Sequence, residues 1–237
     1  MGVDDAQGAA QGAAQHAQAA ATAIAVCGPV TPAAAEVRAR LPAADVVIAA
    51  DGGIHAADAL GLTVDVLVGD LDSVSDVRLA EARRRGTRIE QHARDKDATD
   101  LDLALDTALA FGVGRLVVVD GGVGPRLDHF LANALLLAHP RLRAVTVDAA
   151  LGNAWISVVH PGAERTIVGV PRSIVSLLPI AGAVDDVSTK GLRWPLHGET
   201  LTAGSTRGIS NELVAATASV RIGAGTLFVV QPLGGEQ

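Results

Sequence analysis

The sequence predicts an α/β amino-terminal domain built on a parallel sheet, followed by a carboxyl-terminal all-β sandwich. Three observations carry this. Between residues 22 and 150, short apolar runs alternate with segments of helical period, the pattern of a sheet covered on both faces. Two of those runs end at acidic, glycine-flanked turns, Asp51-Gly52-Gly53 and Gly69-Asp70-Leu71-Asp72-Ser73, where open parallel sheets place their ligands. From 151 to 237 the long helical period disappears. Turn signals recur instead at His160-Pro161-Gly162, Ile180-Ala181-Gly182, His197-Gly198 and Gly223-Ala224-Gly225, as in a small antiparallel sandwich or barrel.

Residues 1–21 are mostly Ala, Gln and Gly without Lys or Arg and read as a disordered tail, not a secretory signal. A strand is expected over Ala23–Cys27. Thr31-Pro32 then supplies a helix cap and a first-turn proline, and that helix runs to Leu41-Pro42. Strand Asp45–Ala50, helix Ile54–Leu60 with Gly61 as its cap, and strand Val64–Val68 follow. Ser73 or Ser75 opens a helix that Gly86 stops. The acidic stretch Asp95-Lys96-Asp97-Ala98-Thr99-Asp100 is read as the first turn of a helix burying Leu101, Ala104, Leu105, Ala108 and Leu109. Arg115–Asp120 is the most strand-like run in the chain. It leads through a glycine-rich turn into a helix with Leu131, Ala134, Leu135 and Ala138 on one face.

A chain of 237 residues that is 49% hydrophobic can bury a substantial core. A net charge of −7 and a pI near 5.4 leave no basic surplus for a general nucleic-acid binder. No run reaches the roughly 18 apolar residues of a membrane span. The single cysteine, Cys27, excludes an intramolecular disulfide and a thiolate zinc cluster, and reads as a small buried hydrophobe. The cytoplasm is the expected location.

The chemistry concentrates in the acidic turns. Asp70 and Asp72 point the same way if extended geometry persists, and like charges held together call for a cation. Mg²⁺ uses one or two carboxylates with waters and substrate phosphates, so a site for Mg²⁺ and a polyphosphate is expected. Asp51 by itself is either a turn or helix-cap residue, the commoner case for a single acid at a strand end, or a ligand. The acidic helix start adds free N–H groups and a favourable dipole for phosphate. The turn Gly121–His129 carries glycines that let backbone approach an anion, and Arg126 offers a bidentate donor. It matches neither the common phosphate loop nor the dinucleotide fingerprint. His129 is a cap neighbour or a substrate contact. In the second half, Trp194 is either a core residue or a flat face for a planar ring, and Ser210-Asn211 is either a turn or a donor–acceptor pair.

Taken in order, Asp51-Gly52-Gly53, Gly69–Ser73, Lys96–Asp100, Arg126-Leu127-Asp128-His129 with Asn133, Gly191-Leu192-Arg193-Trp194-Pro195-Leu196 and Ser210-Asn211-Glu212 resemble the thiamine pyrophosphokinase family over residues 23–231. The resemblance implies an α/β domain (22–150) joined to a β-sandwich (151–237), in a homodimer with sites between subunits. It implies diphosphate transfer from ATP to the hydroxyl of thiamine, with Mg²⁺ required and AMP released. Asp70, Asp72 and Asp100 match the magnesium positions, and Asp97 joins them as catalytic. Asp51, Gly52, Gly53, Lys96, Thr99, Arg126, Asp128 and His129 match the nucleotide and phosphate region, and Trp194, Ser210 and Asn211 the thiamine region. Ile54-His55 and Pro125 depart from the family pattern; Pro125 lacks an N–H for phosphate.

Phosphoryl-type transfer needs positioning and charge neutralisation more than a covalent nucleophile, which accords with this residue set. The proton acceptor is left open between a carboxylate and metal-bound water. Two rival readings stand beside it. A pyrophosphokinase acting on a pterin alcohol would use the same amino-terminal motifs, although the Trp194 and Ser210-Asn211-Glu212 segments favour thiamine. A non-catalytic binding or scaffold protein would share the fold.

Overall fold

The computed structural model describes residues 20–29, 33–95, 97–122, 126–162 and 164–234. Most of the amino-terminal tail, the Thr31-Pro32 helix start, Lys96 and Pro125 lie outside the described residues.

The amino-terminal half alternates strand and helix as β1 (Thr22–Cys27), α1 (Ala34–Arg40), β2 (Val46–Ala50), α2 (Gly53–Ala59), β3 (Val66–Gly69), α3 (Asp76–Arg84), β4 (Arg88–Gln91), α4 (Asp100–Ala110), β5 (Arg115–Asp120) and α5 (Leu127–Leu136). A short 3-10 turn (Pro140–Leu142) leads to β6 (Thr146–Leu151). These strands form a parallel sheet in the order β4-β3-β2-β1-β5-β6. Successive side chains feed opposite layers: Ala23, Ala25 and Cys27 join the core under α4, while Ile24 and Val26 join the core under α1 and α2. Burial on both faces explains why the runs are continuously apolar.

The strand order reverses at β1, which has β2 on one side and β5 on the other. Such a switch point opens a crevice at the carboxyl ends of the strands, because the connecting helices leave toward opposite faces. Here Cys27-Gly28 and Asp120-Gly121 border it.

The sheet continues past residue 150. Strand β7 (Ala154–Val159) returns antiparallel to β6, and β13 (Ala224–Pro232) and the first half of β9 (Ile174–Lys190) extend the same sheet. The second half of β9 pairs with β12 (Thr217–Arg221) and β10 (His197–Leu201). Strand β8 (Arg165–Val168) joins β12, and β11 (Asn211–Glu212) pairs with the start of β9. A separate core of Val175, Leu177, Val184, Val187, Leu201, Val220 and Leu227 fills this antiparallel part. The α/β-then-β fold class expected from sequence is therefore the one observed.

Several local expectations are corrected. Strand β4 has no apolar run because it is an edge strand in which Ile89 alone packs on the core, between charged and polar residues with exposed ends. The acidic stretch is not a helical turn: α4 begins at Asp100, with the Thr99 hydroxyl accepting from the Asp102 N–H at 3.2 Å, so Asp97–Thr99 are the loop before it. Ile180-Ala181-Gly182 is a bend within β9, not a turn between strands; Ala181 and Gly182 adopt positive φ where the strand passes from one sheet to the other. His197-Gly198 likewise lies in β10, beside a register shift. The inner face of α5 is Phe130 and Ala134, followed by buried Leu137, while Leu131 and Leu135 point outward.

Candidate active site

The crevice at the switch point is a cleft of about 940 Å³. Of the residues expected from sequence, Asp51, Gly52, Asp70, Asp97, Thr99, Asp100, Arg126 and His129 line it. Two strand ends, those of β2 and β3, and the start of α4 with the loop before it supply its acidic side. Asp51 follows β2 with φ +47°, and its Oδ1 accepts the Leu71 N–H at 2.7 Å. Leu71 is itself in the left-handed region, φ +66°, an uncommon conformation for a non-glycine residue and a form of strain found at functional sites. Gly69 allows this approach: a Cβ there would sit 2.6 Å from Asp51 Oδ1.

Asp51, Asp70 and Asp72 each present a carboxylate oxygen, and these oxygens lie within 4.8 Å of one another. Asp100, expected as the third metal position, falls outside that group but adjoins it through Asp51. Burial, and next the Asp100 charge, push the Asp51 carboxyl up to about 7, against the lowering effect of the Leu71 N–H. The exposed Asp72 is paired with Arg94 at 3.1 Å.

The other wall comes from β1, β5 and α5. Asp120, 5% exposed, accepts from Asn133 Nδ2 at 2.9 Å and from the Gly122 N–H at 3.1 Å, tying α5 and the turn to the end of β5. Gly28 admits that carboxylate, since a Cβ there would lie 2.3 Å from Asp120 Oδ1. Burial, reinforced by Asp120, pushes the Cys27 thiol up, so it stays protonated and unreactive. Arg126 donates two hydrogen bonds to Asp128, at 2.9 and 2.7 Å, and holds its carboxyl well below the usual range. Asp128 itself does not line the cleft. Gly53 contributes to packing: a Cβ would lie 2.1 Å from the Val26 carbonyl oxygen, so only glycine brings α2 this close to β1.

Gly28, His55, Arg94 and Asp120 are cleft residues that the sequence reading missed. Asp120 carried the same signal as Asp51, an acid ending an apolar run before two glycines. Arg94 carried none.

Trp194, Ser210 and Asn211 do not line this cleft. Trp194 is 52% exposed, so the core alternative fails; the buried tryptophan is Trp155. Asn211 is buried and accepts the N–H groups of Trp194 and Glu212 on Oδ1, at 3.1 and 2.9 Å, while Nδ2 donates to the Trp194 carbonyl at 2.7 Å. It therefore fixes the loop that displays the indole. Arg193 covers one face of that ring, 4.8 Å from its centroid, and pairs with Glu212.

Fold and site together define an α/β protein with a carboxylate-lined switch-point cleft, extended by an antiparallel β region. Its residues 37–148 match the family model described as the catalytic domain of thiamin pyrophosphokinase, and residues 166–227 match that of the vitamin B1 binding domain. The chain belongs to the thiamin pyrophosphokinase family. It is 28% identical over 163 residues to the thiamine pyrophosphokinase of Bacillus subtilis, covering 69% of this chain and 76% of that one. A crystal structure of a Bacillus subtilis thiamine pyrophosphokinase superposes with a TM-score of 0.76 at 25% identity, covering 90% of this chain and all of that chain. The Geobacillus thermodenitrificans structure, at 22% identity and a TM-score of 0.73, shares the fold over 91% of this chain.

Proposed function

We infer that this chain is a thiamine pyrophosphokinase, transferring the diphosphate group of ATP to the hydroxyl of thiamine and releasing AMP. The observation that carries the reading is the grouping of Asp51 and Asp70, which line the switch-point cleft, with the exposed Asp72 beside them, in a chain matched by both domains of the family. The donor set fits Mg²⁺, which takes hard oxygen ligands and shares them with substrate phosphates. Bound there, Mg²⁺ would neutralise phosphate charge during transfer. Asp51, Asp70 and Asp72 would hold it, with Asp100 buttressing Asp51 and Asp97 and Thr99 at the mouth of α4. Arg94, Arg126 and His129 offer donors to the phosphates, and Gly28 makes room for the Asp120 carboxylate in the cleft wall. In this reading Arg126 exchanges Asp128 for phosphate.

Trp194 would receive a ring of thiamine on its open face, with Ser210 beside it and Asn211 holding the indole loop in place. Because these residues do not line the cleft, we propose a homodimer in which one subunit's cleft faces the partner's indole. The division at residue 150 is then functional, separating ATP chemistry from thiamine recognition across a continuous sheet. A cytoplasmic location follows from the proposed use of ATP. The direct test offers ATP and Mg²⁺ with either thiamine or a hydroxymethyl-pterin. AMP and thiamine diphosphate are expected with thiamine alone. ADP as product, or turnover only of the pterin, would overturn the assignment.

A further inference from the structure

A second cavity, of about 470 Å³, lies away from the cleft. Arg115 is the first residue of β5 and lines this cavity, whereas Asp120, the last, lines the cleft. Arg40 from the end of α1 and Arg165 from the start of β8 complete a set of three guanidinium groups around it. The one carboxylate in the lining is Asp148, 2% exposed, and its oxygens are already engaged. Oδ1 accepts from Ser157 Oγ at 2.6 Å and from Arg165, and Oδ2 accepts from Arg115 at 3.2 Å. The lining therefore carries a formal charge of +2.

Two features distinguish this from a closed structural network. The buried Arg115 Nε donates to nothing. Arg40 forms no ion pair among the described residues: it lies 5.7 Å from the Trp155 ring centroid and makes one long hydrogen bond, 3.4 Å, to Gln231. Gln231 and the charge of Glu36, on the same helix, compensate Arg40 only in part, and native proteins seldom leave buried donors and partly buried cations so thinly paired.

We propose that this cavity binds a phosphate-type polyanion, with Arg40 and Arg115 as its principal donors and Arg165 adding charge. Planar guanidinium forks suit tetrahedral oxyanions, which accept paired hydrogen bonds from them. The volume exceeds that of inorganic phosphate and accommodates a diphosphate. Bound there, the anion would bridge α1 and β5 to β8, joining the parallel sheet to the antiparallel region. Such a ligand is either free diphosphate or the diphosphate end of a larger molecule, and the two share the chemistry that the arginines recognise.

Isothermal titration of the full chain in EDTA with inorganic diphosphate tests this while leaving metal-dependent binding in the cleft unsupported. One diphosphate per chain is expected. Arg40→Gln should weaken binding by about tenfold or more, as loss of a charge-assisted contact predicts. That substitution spares Asp148 its three partners, Ser157, Arg115 and Arg165, so the chain should still fold; an unchanged melting temperature without anion checks it. If Arg40→Gln melts early, Arg40→Lys keeps the charge and should bind more weakly than wild type. Arg126→Ala, in the proposed active site, should leave this binding intact, so failure here and failure of the enzyme assignment are separable. Titration with thiamine diphosphate, counting only the binding that Arg40→Gln removes, distinguishes a free anion from a tethered one by the tighter partner. No heat in EDTA, binding that survives Arg40→Gln, or binding abolished by Arg126→Ala would each overturn the proposal.

Discussion

At the scale of single residues, the cleft places carboxylates where water would leave them apart. Asp51 is the clearest case, because burial and Asp100 raise its carboxyl to about 7 against an ordinary value of 3.8. The linkage sign follows directly. Between roughly pH 4 and 7 the folded metal-free protein holds a proton that the unfolded chain has released, so stability falls as pH rises through that window and levels above it. Asp51→Asn removes this proton while keeping an acceptor for the Leu71 N–H. In EDTA its melting temperature should therefore vary less than wild type between pH 4 and 7.5. A wild-type curve rising with pH over that range, with the variant flat, would contradict this account.

Trp194 and Asn211 separate display from support. The indole is half exposed and stacked by Arg193, whereas Asn211 is buried and spends its carboxamide on the Trp194 backbone and on Glu212. Trp194→Ala should raise the KM for thiamine more than that for ATP, with the melt nearly unchanged, since an exposed cation–ring contact is worth roughly 0.5–2 kcal/mol. Asn211→Ala should raise the same KM and also cost on the order of 1–3 kcal/mol of stability, because buried amide groups lose their partners. Equal melts for the two variants would remove the supporting role of Asn211.

At the scale of elements, what was legible was whatever burial on both faces had written as apolar runs. Strands β1, β2, β3 and β5 and the core face of α4 are of that kind, and their terminal acids Asp51 and Asp70 fell in place with them. Strand β4 was hidden because an edge strand pairs by its backbone and keeps polar side chains. Asp120 ends its strand before two glycines just as Asp51 does, so its place at the cleft was legible in the same signal. Helix α5 was misread for a physical reason: Leu127, Leu131 and Leu135 share one stripe at i, i+4 and i+8, and they are 58%, 51% and 58% exposed. Periodicity reports an apolar face without saying whether its own chain covers it. Phe130 and Asn133, on the same helix, face the cleft, so the stripe adjoins the site. The proposed dimer gives it a cover. Leu131→Glu should shift the chain to monomer mass in light scattering, leave helical circular dichroism unchanged and depress turnover. An unaltered oligomer would show that the stripe lies elsewhere.

At the scale of the whole molecule, the two halves of the proposed site lie on one chain yet do not line one cavity. The antiparallel region presents its own exposed apolar residues around the indole. Ile209 and Val214 flank β11, which pairs with Ile174 and holds Trp194. A two-fold dimer that set the α5 stripe of one subunit near this patch on the other would bury both twice and bring each cleft to the partner's Trp194. That arrangement makes a quantitative prediction. Asp72→Asn disables a cleft and Trp194→Ala disables an indole, and both side chains are exposed enough that neither change should unfold the chain. In a heterodimer of the two variants, one site combines the intact cleft with the intact indole, and the other combines both defects. After equal mixing and full exchange, half the dimers are mixed and half their sites are whole, so with thiamine held below its KM the mixture should gain about a quarter of wild-type activity beyond the residual activity of the variants' own sites. Mass spectrometry of differently labelled subunits verifies the exchange. If exchange is complete and activity stays at the level of the separate variants, each site is completed within a single chain and the shared-site arrangement is wrong.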